Sequence, residues 1–167
     1  MNNILNTILK DTYTLTLLKS RVRTLKSYLL NYFFAARAQD ETTLPPQDLN
    51  WLKSLPPFFY QQFNKDNVYK IFADLESNIA ALQPLIIYLS FPADDSSATQ
   101  IGIFARKTFG SPRGGAGNML LLDTKFDPNL IAGIALSWKG IYQDYSLRAK
   151  IEGRKAEILE EFKKYLR

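Results

Sequence analysis

The chain has 167 residues, 46% of them hydrophobic and 13% aromatic, which supplies enough apolar surface for a core and argues against wholesale disorder. It contains no cysteine and no histidine, which excludes disulfides, thiol catalysis, imidazole general bases and metal sites built on either ligand. The formal charge of +5, from 21 basic and 16 acidic residues, is spread thinly over both halves. That balance suits an acidic protein partner or a membrane-proximal setting better than nucleic acid.

Residues 2–38 contain no glycine or proline, and Leu15, Leu18, Val22, Leu25, Leu29, Tyr32 and Ala36 step by threes and fours. This spacing predicts an amphipathic helix with one apolar stripe, from which Arg21, Arg23 and Lys26 fall away into solvent. The stripe is too short to argue for a dedicated coiled coil, so an ordinary bundle helix is expected. Asp11 and Thr12 offer a point where the segment divides into two helices. A polar connection over residues 39–46 ends in Pro45-Pro46, after which Pro46 opens a short helix carrying Trp51. Pro56-Pro57 breaks it, and the aromatic run 58–63 reads as a turn or short helix. Helical spacing resumes at Val68, Ile71, Phe72, Leu75, Ile79 and Leu82. Residues 1–82 are therefore expected to be an all-helical bundle of four or five helices.

Pro84 marks a change of period. Residues 85–91 are short, β-branched and aromatic, which predicts a buried strand. Asp94 and Asp95 suit a helix N-terminus, and Ala98, Ile101, Phe104, Ala105 and Phe109 fall on one helical face ending at Gly110. Residues 119–126 and 130–139 read as strands paired with each other, and 141–145 as a third candidate strand. Ser146 caps a last helix whose core face would be Leu147, Ile151, Ile158, Leu159, Phe162 and Leu166. Residues 84–167 thus form a small β-α-β-β-α domain, and the whole chain is α+β.

Chemistry finds little support. The glycine-rich loop 110–118 with Arg113 leaves a helix and enters a strand, the reverse of a phosphate-binding loop, so a plain connection is expected. The carboxylates are scattered, and Asp127 before Pro128 is better explained as a turn-former than as an acid or base. Arg106, Lys107, Arg113 and Lys125 lie near Phe104, Phe109 and Phe126, but those aromatics fall at core-facing positions, which weakens a base-stacking surface. Trp51, Phe58 and Phe59 belong to an aromatic cluster that suits a core first and a partner groove second. No signal peptide is apparent, and the apolar runs are too short to span a bilayer.

The most specific stretch runs from Phe126 to Arg148. Asp127-Pro-Asn-Leu130-Ile131-Ala-Gly133, Gly140 and Asp144-Tyr-Ser146-Leu-Arg148 follow one another in order. With Leu55-Pro-Pro-Phe58-Phe59 upstream, this order resembles the delta subunit of F-type ATP synthases, called the oligomycin-sensitivity-conferral protein in mitochondria. The likeness covers about two-thirds of the chain. It departs at Tyr145, where the family usually has glycine, and in the first 50 residues, which carry no family motif.

The resemblance implies a non-catalytic stator subunit, without cofactor, present once per complex and peripheral to the energy-transducing membrane. The membrane face would be cytoplasmic, or the matrix or stromal side in an organelle. It would join the alpha subunits of the catalytic head to the b-type subunits of the peripheral stalk. Leu15, Leu18, Val22, Leu25, Leu29, Trp51, Phe58 and Phe59 are the candidate partner-binding residues. The other reading is an adaptor or RNA-binding module with a small β-α-β domain.

Overall fold

The computed structural model describes residues 2–34, 44–109 and 120–165. Ala36, residues 39–43, the glycine-rich loop 110–118, Met119 and Leu166 lie outside the described residues. Helices come first: α1 (Asn2–Lys10), α2 (Leu15–Phe34), α3 (Pro46–Ser54), α4 (Pro57–Tyr60) and α5 (Val68–Ala80). The chain does divide at Asp11 and Thr12. Thr14 restarts it, its hydroxyl accepting from the Leu17 amide at 3.2 Å as an N-cap does. Helices α3 and α4 each begin on a proline whose missing N–H costs nothing in a first turn. Before α5, the Asn64 side chain accepts from the amides of Asp66 and Asn67 and stops the preceding turn. Leu18, Leu25, Phe59, Val68, Phe72 and Leu75 are interior, and Phe63 stacks on Phe72 at 5.9 Å between centroids.

The second half comprises β1 (Leu85–Leu89), α6 (Asp95–Phe109), β2 (Leu122–Phe126), a 3-10 turn (Pro128–Leu130), β3 (Ile134–Trp138), β4 (Ile141–Asp144), α7 (Leu147–Gly153) and α8 (Lys155–Tyr165). The sheet order is β2-β1-β3-β4. This is the expected α+β architecture, a helical region followed by a sheet.

Three expectations are corrected. Strands β2 and β3 do not pair. Strand β2 lies parallel to β1 and β3 antiparallel on its other side. A parallel neighbour requires a crossover, and α6 supplies it. The residues between β2 and β3 cross the end of β1, where the Asp127 amide donates to the Leu89 carbonyl at 2.8 Å. Strand β3 therefore starts at Ile134, and Leu130 belongs to the 3-10 turn.

Phe104 and Phe126 are exposed, at 66% and 57%, and do not face the core. Helix α6 instead turns inward its small residues, Ala98, Gly102 and Ala105, with Ile101 half-buried. A Cβ at Gly102 would stand 2.8 Å from that of Tyr13, so the α1–α2 turn rests directly on α6.

The last helix is broken at Arg154, and the face formed by Leu147, Ile151, Leu159 and Phe162 is exposed while Ile158 is only half-buried. No element of the described chain covers it.

The helical half and the sheet half meet along a continuous seam. Thr14 makes an isolated parallel bridge to Leu122, whose amide donates to the Tyr13 carbonyl at 2.9 Å. Leu121, one residue away, packs into the core of the helical bundle.

Candidate partner interface

Five of the eight candidate partner-binding residues are corrected by burial. Leu18, Leu25, Leu29, Trp51 and Phe59 are interior and belong to the bundle core, whereas Val22, also buried, lines a groove beside it. The stripe on α2 is consumed by α1, α3 and α5, because a helix flanked on several sides by apolar faces buries more than one stripe. Phe58 is exposed and Leu15 half-buried.

A partner-sized concavity lies between α2 and α5, and Leu15 and Val22 of the same stripe border it. It is a groove of about 530 Å³ with an apolar floor of Leu15, Val22, Ile79 and Leu82. Its α2 rim carries Lys19, Arg23 and Lys26. These sit four and three residues apart, the same step as the buried stripe, so they line up along the helix edge. Glu76 on α5 ties only one of them, accepting from Lys26 Nζ at 2.7 Å across the groove end. Lys19 and Arg23 are exposed on the same rim. An apolar floor bordered by cations fits an amphipathic helix with acidic residues along its flank.

The signal was present in the sequence as a second, basic stripe offset by one residue from the apolar one. It reads as solvated charge until α5 is placed beside it.

The residues of the Asp127–Arg148 stretch singled out above, Gly140 excepted, gather around the open end of the β3–β4 hairpin and the start of α7. Asp127 Oδ1 accepts from the amide and the side-chain nitrogen of Asn129, closing the 3-10 turn that buries Leu130. Ile131 follows in a γ-turn, with φ 64° and ψ −57°, and the Ala132 amide donates back to the Leu130 carbonyl at 2.7 Å. This hand of γ-turn is strained for a β-branched residue.

Gly133, at φ 91°, passes so close to the next element that a Cβ would lie 2.9 Å from the Tyr145 carbonyl. The Leu147 amide donates to the Ala132 carbonyl at 2.8 Å, locking α7 onto that corner. The Ser146 hydroxyl and then the Ser146 amide, which donates to Asp144 at 2.8 Å, hold the Asp144 carboxyl below the usual range. Ser146, fully buried, accepts from the Ala149 amide as the N-cap of α7. Arg148 pairs with Glu152 one turn on. Gly140 is apart from the cluster. With Lys139 it forms a two-residue hairpin turn in which both φ are positive, as a twisted hairpin favours. Each of these residues builds turns and caps, and none aims a free functional group into a cleft.

A second apolar area lies on the sheet. Leu85, Leu136, Trp138 and Ile141 share one face and border a hollow of about 270 Å³. Together with the uncovered side of α7 and α8, it gives the C-terminal half its own exposed apolar surface. Among the described residues no cluster of His, Cys, Asp and Glu is arranged to hold a metal ion. No described helix is long and apolar enough to cross a membrane. No protein-family model matches the sequence, and no characterised protein matches it significantly, so the functional reading rests on the geometry and on the motif order.

Proposed function

We propose that the chain is a non-catalytic stator subunit of an F-type ATP synthase, linking the alpha subunits of the catalytic head to the b-type subunits of the peripheral stalk. In that role it acts at the cytoplasmic, matrix or stromal face of the energy-transducing membrane and resists rotor torque. The observation that carries the reading is the α2–α5 groove, with its apolar floor and its rim of Lys19, Arg23 and Lys26. A helix from the head, apolar on one side and acidic along its flank, fits it. The apolar surface of the C-terminal half, on the other side of the seam, leaves a separate area for stalk helices. The motif order from Asp127 to Arg148 supports the same assignment.

The adaptor or RNA-binding reading gains exposed aromatics in Phe104 and Phe126. It loses Arg106, whose guanidinium is spent on backbone carbonyls, and Lys125, which alternates to the sheet face opposite Phe126.

Capture of the full chain from native membranes in mild detergent tests the stator reading. Alpha and b-type subunits are expected to co-elute. The double reversal Lys19→Glu, Arg23→Glu is expected to lower alpha recovery severalfold while b-type recovery holds, since those two side chains are exposed. Salt should weaken the alpha contact in the same direction. Recovery of neither subunit, or salt-sensitive retention on RNA instead, overturns it.

A further inference from the structure

The geometry points to Arg106 as a positioning residue that clasps the helical bundle to the sheet, so that the two halves move as one lever. Arg106 leaves α6 and reaches the C-terminal end of α1, 94 to 97 residues away in the chain. Its Nη1 donates to the carbonyls of Leu9 and Lys10, both at 3.1 Å. Its Nη2 donates to the Thr12 carbonyl at 2.5 Å and to Leu120 at 3.3 Å. The last carbonyls of a helix have no partner within it and form the negative end of its dipole, which is where a cation is best placed.

Only a flat, forked guanidinium can serve several carbonyls at fixed angles, and a lysine ammonium cannot substitute for it. The guanidinium also lies over the Tyr13 ring at 4.4 Å. From the bundle side, Arg21 donates to the Asp11 carbonyl and the Thr12 hydroxyl, each at 2.7 Å. The α1–α2 turn is therefore gripped by one arginine from each half.

The rest of the seam points the same way. Tyr13 sits flush on Gly102, and Leu122 is hydrogen-bonded to Tyr13. Residues 12–14 thus serve as a short extra edge beside β2, and Arg106 fixes its register. Apolar contacts alone would hold the halves together but would tolerate sliding, because they have no direction. A directional hydrogen-bond fan does not. The mechanical meaning of the clasp rests on the stator reading, whereas the rigidity itself does not.

The native chain has no cysteine, so Lys70→Cys on α5 and Lys150→Cys on α7 give two unique spin-label positions, both exposed. Pulsed electron paramagnetic resonance on the full labelled chain reads the distance between the halves. A single narrow distribution is expected for the otherwise native chain. R106A is expected to broaden it at least twofold while the helical circular dichroism signal holds, and R106K is expected not to restore it. G102A, which pushes on Tyr13 from the same seam, is expected to broaden it independently. An unchanged distribution in a folded R106A chain overturns the proposal. Should R106A fail to fold, a native distribution in R106K, which keeps the charge but not the fork, overturns it. Failure to capture synthase subunits would reject the stator reading and leave these distances untouched.

Discussion

The apolar stripe of α2 and the apolar stripe of α7–α8 are written in the same three-and-four spacing, yet they meet opposite fates. In α2, Leu18, Val22, Leu25 and Leu29 are all buried. In α7 and α8 no residue is buried, and Phe162 is 62% exposed. The difference is in the surroundings. Helix α2 runs 20 residues, about 30 Å, with α1, α3 and α5 against it. Helix α8 runs 11 residues beyond a break at Arg154, past the last strand, and leaves Leu159 and Phe162 largely exposed. Spacing tells which side chains share a face, whereas burial requires a second surface.

The largest expected effect tests that contrast directly. Phe72→Ala removes a fully interior ring and is expected to cost about 3–5 kcal/mol in urea unfolding followed by circular dichroism. Phe162→Ala, read the same way, is expected to change stability by less than about 0.5 kcal/mol. Equal losses from both would mean that α8 is covered in solution, and the contrast would collapse.

An intermediate effect is expected where α7 is anchored. Ser146→Ala removes the buried cap hydroxyl and is expected to cost about 1 kcal/mol, since the Ala149 amide loses its acceptor. Amide hydrogen exchange should rise in α7 without rising in α2, which sharpens the contrast between an anchored and an enclosed helix.

The smallest effect concerns pH. Burial pushes the Tyr60 hydroxyl up to about 12 from 10.0, and that hydroxyl donates to the Leu52 carbonyl at 2.6 Å. The folded state holds this proton more tightly. Its contribution is therefore full below the unfolded value of 10.0 and is lost as pH rises through about 12. The tyrosine is half accessible, so the loss is modest. Unfolding midpoints across pH about 9 to 12 should fall less for Tyr60→Phe than for the native chain. An equal fall in both would place the alkaline sensitivity elsewhere.

Much of this was legible residue by residue. Pro46 and Pro57 punctuate the bundle where they stand in the chain, because they act on their own backbone and need no distant partner. Ser146 and Asp127 cap and turn for the same reason. Strand pairing was not legible, because β2 and β3 are adjacent in sequence but separated in the sheet by β1. Neither was the inward face of α6. The large Phe104 suggested the core, while the close approach of Tyr13 selected Gly102 and left Phe104 outside. Within the candidate interface, the apolar stripe drew attention mostly to residues that the core had already taken, and only Leu15 and Val22 of it border the groove. The basic stripe beside it became meaningful only with α5 in place.

The sequence by itself determined the α+β class, the division at Asp11 and Thr12, the helix starts at Pro46 and Ser146, and the turns from Asp127 to Arg148, because caps, prolines and tight turns are local interactions within a few residues. The tertiary structure decided which stripe is core and which is groove wall, which strand neighbours which, and that Arg106 reaches across to α1. Those depend on surfaces brought together from distant parts of the chain, and no single segment carries that information.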